Sequence, residues 1–78
     1  MRVLLFASYA DAFGASAIDV DLPDGSTVRD LVHAVRALPA AGSLPPQPLV
    51  AVNLAYARAD RVLAAHDEVA LIPPVAGG

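Results

Sequence analysis

Glu68-Val69-Ala70-Leu71-Ile72-Pro73-Pro74-Val75-Ala76-Gly77-Gly78 is the stretch that decides how this chain is read. An apolar strand, residues 68–72, runs straight into two prolines. Proline has no backbone N–H and holds φ near one value, so residues 73–74 end the ladder and send the chain out stiff and extended. Gly77 and Gly78 then remove all side-chain bulk. A strand, a rigid exit and a thin tip make a probe suited to a narrow channel, and its tip chemistry is the α-carboxylate of Gly78. Glu68 marks the solvent parity of the strand, which turns Ala70 and Ile72 outward and Val69 and Leu71 inward.

A second strongly apolar run opens the sequence. Residues 2–9 read as a strand with Val3, Leu5 and Ala7 on one face and Leu4 and Phe6 on the other. Arg2 and Ser8 share the parity of Leu4 and Phe6, so that face is the outer one. Residues 10–16 read as a loop around Gly14. Residues 17–22 alternate, with Ile18, Val20 and Leu22 inward and Asp19 and Asp21 outward, as in a half-buried strand. Pro23-Asp24-Gly25 is a turn. Thr27 is an N-cap, with Asp30 three residues on, and Val28, Leu31, Val32, Val35 and Leu38 form one apolar helical stripe that Pro39 ends. Residues 39–48 are loop, 49–53 a third strand, 56–58 a short strand, and 60–67 a loop.

One helix of about three turns cannot cover both faces of a four- or five-stranded sheet. The expectation is an α+β roll: a mixed sheet with one main helix on one face and the first and last strands adjacent at its centre. That is the β-grasp, or ubiquitin-like, arrangement. It places the domain at residues 1–74 and leaves 75–78 as a tail.

Seventy-eight residues allow one domain, which buries roughly 60% of its unfolded surface. A hydrophobic fraction of 56% argues against disorder. It is also more than one small core needs. The outward Leu4 and Phe6, with Tyr56 and Ile72, therefore make an apolar patch beside the tail that fits a partner interface, with Pro73 and Pro74 at its exit. The net charge of −3 disfavours nucleic acid. All five basic residues are arginine, so Schiff-base chemistry on this chain is excluded. There is no cysteine, hence no thiolate metal site. No apolar run approaches the roughly 20 residues that span a membrane, and the cytoplasm is the expected location. His33 and His66 lack metal-ligand spacing. Ser8, Ser16, Ser26 and Ser43 lack a nucleophile motif, and Gly14, Gly25 and Gly42 are isolated. Asp67-Glu68 reads as a turn device rather than a catalytic dyad. The chemistry is expected at the C-terminus.

Ala51-Val52-Asn53, Leu63, Asp67-Glu68-Val69-Ala70 and Pro73-Pro74-Val75-Ala76-Gly77-Gly78, in that order, resemble the small, sulfur-carrier subunits of molybdopterin synthase, the MoaD-like family of ubiquitin-like proteins. The opening Val3-Leu4-Leu5-Phe6-Ala7, with Gly14 after it, is similar to that family's first strand. His66 stands where the family commonly has glycine, and Ala10-Asp11 where it commonly has Arg-Glu. The resemblance implies a non-catalytic carrier subunit with no permanently bound cofactor. A separate activating enzyme uses ATP to adenylate Gly78, and a sulfur donor then yields a thiocarboxylate. The tail, Val75 to Gly78, reaches about 14 Å at about 3.5 Å per residue. It would deliver sulfur to a pterin precursor in a large subunit, within an assembly of two small and two large subunits. The alternatives are a carrier for thiamine or cysteine synthesis, a ubiquitin-like protein modifier, and an interaction module whose tail is incidental.

Overall fold

The structure, a computed structural model, describes residues 1–73; the expectations for Pro74, Val75, Ala76, Gly77 and Gly78 lie outside the described residues. The strands are β1 (Arg2–Leu5), β2 (Ala17–Asp19), β3 (Leu49–Val52), β4 (Ala55–Tyr56) and β5 (Val69–Ile72). They form one mixed sheet in the order β2-β1-β5-β3-β4. β1 and β5 pair in parallel at the centre, Val3 opposite Val69 and Leu5 opposite Leu71. The two most apolar runs of the sequence thus meet at the centre of the sheet, with Val3, Leu5, Val69 and Leu71 buried.

The helix α2 (Val28–Arg36) begins where the sequence places it. Thr27 Oγ1 accepts the Asp30 N–H at 3.3 Å and the Thr27 N–H donates to Asp30 Oδ2 at 2.9 Å, a complete capping box. These bonds, Thr27's backbone N–H foremost, hold the Asp30 carboxyl below the usual carboxylate value, with Arg29 and His33 adding to it. Val28, Leu31 and Val35 of the expected stripe are buried, whereas Leu38 is not. The helix ends two residues before Leu38, at Arg36, because Pro39 starts a 3₁₀ turn (Pro39–Ser43) rather than a loop. That turn packs against both helices and buries Ala41.

The first strand is half as long as expected. After Phe6 the chain turns through Ala7 at φ 48° and enters a second helix, α1 (Ala7–Phe13), where strand and loop were anticipated. Alanine at 7, 10 and 12 favours helix over strand. Tyr9 and Phe13, four apart, both pack on the core, and burial pushes the Tyr9 phenol pKa up. Gly14 ends α1 at φ 66°. Its N–H donates to Asp11 O at 3.3 Å and the Ala15 N–H to Ala10 O at 3.2 Å, the two bonds of a Schellman stop. β2 is also shorter than 17–22, but its pairing continues: Val20 and Met1 exchange two hydrogen bonds of 2.7 and 2.8 Å.

Both helices and the 3₁₀ turn share a core with the inward residues Val3, Leu5, Val50, Val52, Val69 and Leu71. Among the described residues, no helix lies on the other face of the sheet. β3 and β4 are joined by Asn53 and Leu54, at φ 53° and 70°. Two left-handed residues between paired strands make a type I′ hairpin. β4 therefore starts one residue before the expected 56–58. Leucine is poorly suited to this conformation, at a cost of about 1–2 kcal/mol.

Candidate functional site

The face without helices is the candidate site. Register aligns one row of outward residues across four strands. Leu4 lies opposite Ala70, Ala70 opposite Ala51, and Ala51 opposite Tyr56. Neighbouring strands are about 4.8 Å apart, so Leu4 and Tyr56 stand roughly 14 Å from each other. Between them lie only methyl groups. The result is a trough of about 350 Å³ with a floor of Ala51 and Ala70. Leu4 and Phe6 line one side, Leu54 and Tyr56 the other, and Ile72 the end nearest the tail.

All of the outward residues expected from parity, Leu4, Phe6, Tyr56 and Ile72, are brought together here. Pro73 follows Ile72 directly, half-buried at the upper end. Phe6 is 48% and Tyr56 73% exposed. Two further residues join the patch without having been singled out from the sequence. Leu49, 49% exposed, lies opposite Ile72; its parity with Ala51 was a usable signal. Leu54, 91% exposed, sits at the hairpin tip, and no periodicity marks a turn residue.

The end of the trough away from the tail is polar. A hydrogen-bonded cluster there ties the β3–β4 hairpin to the start of β5. The Asn53 N–H donates to Glu68 O at 2.8 Å, as the next rung of the ladder would. The returning bond is different: the Glu68 N–H donates to Asn53 Oδ1 at 2.9 Å. The asparagine side chain replaces its own backbone carbonyl, which the left-handed turn has rotated away. Asn53 Nδ2 then donates to Asp67 Oδ1, and the Ala64 N–H to Asp67 Oδ2, at 2.9 and 2.8 Å. These bonds, Ala64's foremost, hold the Asp67 carboxyl below its usual value against some cost of desolvation, with Arg61 and His66 assisting. Asp67 is thus the turn device that its position suggests. His66 does not adopt positive φ, so replacing a glycine there needs no special backbone.

A recess of about 480 Å³ lies on the other side of the sheet, between α2 and residues 46–48. Arg29 is its one charged side chain and Gln47 its other polar one. Among the described residues no group of three or more His, Cys, Asp or Glu could hold a metal. Nor is any helix long and apolar enough to cross a membrane.

Comparison with known proteins bears on the family and the fold. The model of the ThiS family matches residues 3–78. The molybdopterin synthase sulfur carrier subunit of Dictyostelium discoideum is 37% identical, over 99% of this chain and 94% of that protein. The subunit of the same name from Arabidopsis thaliana is 30% identical, over 100% of this chain and 82% of that protein. Among solved structures, SAMP1 from Haloferax volcanii superposes with a TM-score of 0.84 at 36% identity, covering 100% of this chain and 98% of that one. A putative molybdopterin converting factor, subunit 1, from Pyrococcus furiosus superposes with a TM-score of 0.75 at 26% identity, covering 95% of each chain.

Proposed function

This chain belongs to the ThiS family, and from that premise we propose that it is a sulfur carrier for molybdenum cofactor biosynthesis. Its partner is the large subunit of molybdopterin synthase. The observation that carries the reading is the position of the apolar trough. Its upper end, Ile72, is the residue from which the Pro-Pro-Val-Ala-Gly-Gly segment departs. A partner seated on the trough therefore lies within reach of Gly78.

The chemistry follows from what a carboxylate lacks. It is a poor electrophile, so an activating enzyme first joins the Gly78 carboxylate to the α-phosphate of ATP and releases pyrophosphate. A persulfide-type donor sulfur then attacks the acyl carbon and AMP leaves. Reductive cleavage of the S–S bond by a thiol frees the thiocarboxylate. Its sulfur attacks the pterin precursor in the large subunit, and hydrolysis of the acyl link returns the carboxylate. Two such cycles supply a dithiolene, in an assembly of two small and two large subunits in the cytoplasm. This chain's own part is to dock, to present a tip without side chains, and to leave.

Intact-mass spectrometry of the protein from its own host tests the reading. A species with one oxygen replaced by sulfur, localised to Gly78, is expected. Gly78→Ala is expected to lower sulfur transfer sharply with the fold intact, and equal transfer rates would refute the reading. The similarity to SAMP1, described also as a small archaeal modifier protein, favours one second reading, a protein modifier. That reading requires amide-linked adducts on other proteins in the same mass analysis.

A further inference from the structure

Leu54 stands out from the rest of the trough. It is nearly fully exposed, so it contributes almost nothing to the core. It also occupies a left-handed position, φ 70°, where glycine would be the unstrained choice after asparagine. The hairpin keeps this conformation through four hydrogen bonds among Asn53, Ala64, Asp67 and Glu68, each 2.8–2.9 Å. The network suits asparagine in particular. Oδ1 must accept from Glu68 while Nδ2 donates to Asp67, and aspartate cannot do both.

We propose that Leu54 is a partner-recognition anchor, and that Asn53 and Asp67 are positioning residues that preset it. This rests on the sulfur-carrier reading and extends it to a specificity-determining contact. The clamp lets the ladder continue while the backbone turns, and so lifts Leu54 into one wall of the trough beside Tyr56. The occupant is the protein that receives the tail. Gly78 lies five residues beyond Pro73, a reach of at most about 18 Å. A protein that takes the tip therefore binds within that distance of Ile72, which lines the same trough as Leu54. Its matching surface is an apolar ridge that fills the alanine floor and a pocket for the Leu54 side chain.

The test is titration calorimetry against the purified large subunit from the same organism. Leu54→Gly removes the anchor and leaves an Asn-Gly turn that the hairpin favours. Its melting temperature should match or exceed the wild type, with binding weaker by about tenfold. Asp67→Ala should also weaken binding. That loss should nearly vanish in the Leu54→Gly background, because the clamp acts through Leu54. Val62→Ala, exposed and away from the trough, should bind normally. A Kd for Leu54→Gly within about twofold of wild type overturns the anchor. Fully additive losses in the double variant overturn the positioning role. If Asp67→Ala does not fold, Leu54→Gly decides alone. A wild-type chain that fails to bind the large subunit, or that dimerises through Leu54 instead, sinks the carrier reading together with the anchor. Binding that ignores Leu54 sinks the anchor only.

Discussion

Replacing Tyr56 with alanine separates docking from folding. A tyrosine buries about 150–250 Å² when fully enclosed, and Tyr56 is 73% exposed in the free chain. Roughly 110–180 Å² therefore remains for a partner to cover. At about 25 cal/mol per Å² the upper limit is about 3–4.5 kcal/mol. Alanine retains its β-carbon and a docked ring keeps some exposure, so the expected loss is about 2 kcal/mol, or ~30-fold in Kd. The free chain should scarcely notice, with stability changed by less than about 0.5 kcal/mol, because β4 keeps its backbone pairing to β3. Calorimetry against the large subunit measures the first quantity and urea unfolding the second. In sulfur-transfer assays the half-saturating concentration of large subunit should rise while the rate at saturation holds. Tyr56→Phe should behave as wild type if area dominates. A Kd for Tyr56→Ala within about twofold of wild type would refute the docking geometry. So would a loss of binding matched by a loss of fold stability.

Two further expectations concern the frame. Thr27→Ala removes the acceptor of the capping box and should cost about 1 kcal/mol, seen as a fall of about 4–8 °C in melting temperature, with large-subunit affinity unchanged. Asp30 and Asp67 both have folded pKa values below the ordinary value of about 3.9, so the folded state binds fewer of these protons than the unfolded one. Their contribution is complete above about pH 5 and is lost as the pH falls through the unfolded and then the depressed folded values. The urea midpoint should drop on acidification below that point, and Asp30→Asn/Asp67→Asn should flatten the drop.

What the sequence disclosed depended on how local the cause was. The capping box at Thr27 is written in four consecutive residues and forms as read. The central position of β1 and β5 follows from composition alone, and outward parity brings Leu4, Phe6, Tyr56 and Ile72 to one face. α1 was missed because residues 2–9 are apolar on both parities, a pattern that strand and buried helix share. Gly14, with alanines before it, was the available sign. Leu54 was missed for a different reason. Its backbone is set by Asn53 reaching residues fourteen and fifteen positions away, and such a bond leaves no period in the sequence. The tail residues Pro74 to Gly78, where the chemistry is proposed, lie outside the described residues.

The parallel pairing of β1 with β5 also bears on quality control. Residues 69–72 are the middle of the sheet, joined on one side to the start of the chain and on the other to β3. Contacts of such long sequence separation form late and slowly. Until β5 is in place there is no Ala70 floor, no Ile72 rim and no rung for Asn53. A full-length chain whose sheet has not closed carries the Gly-Gly residues yet lacks the surface that would bring them to a partner. On the proposed docking geometry, a partner would select chains whose sheet has closed.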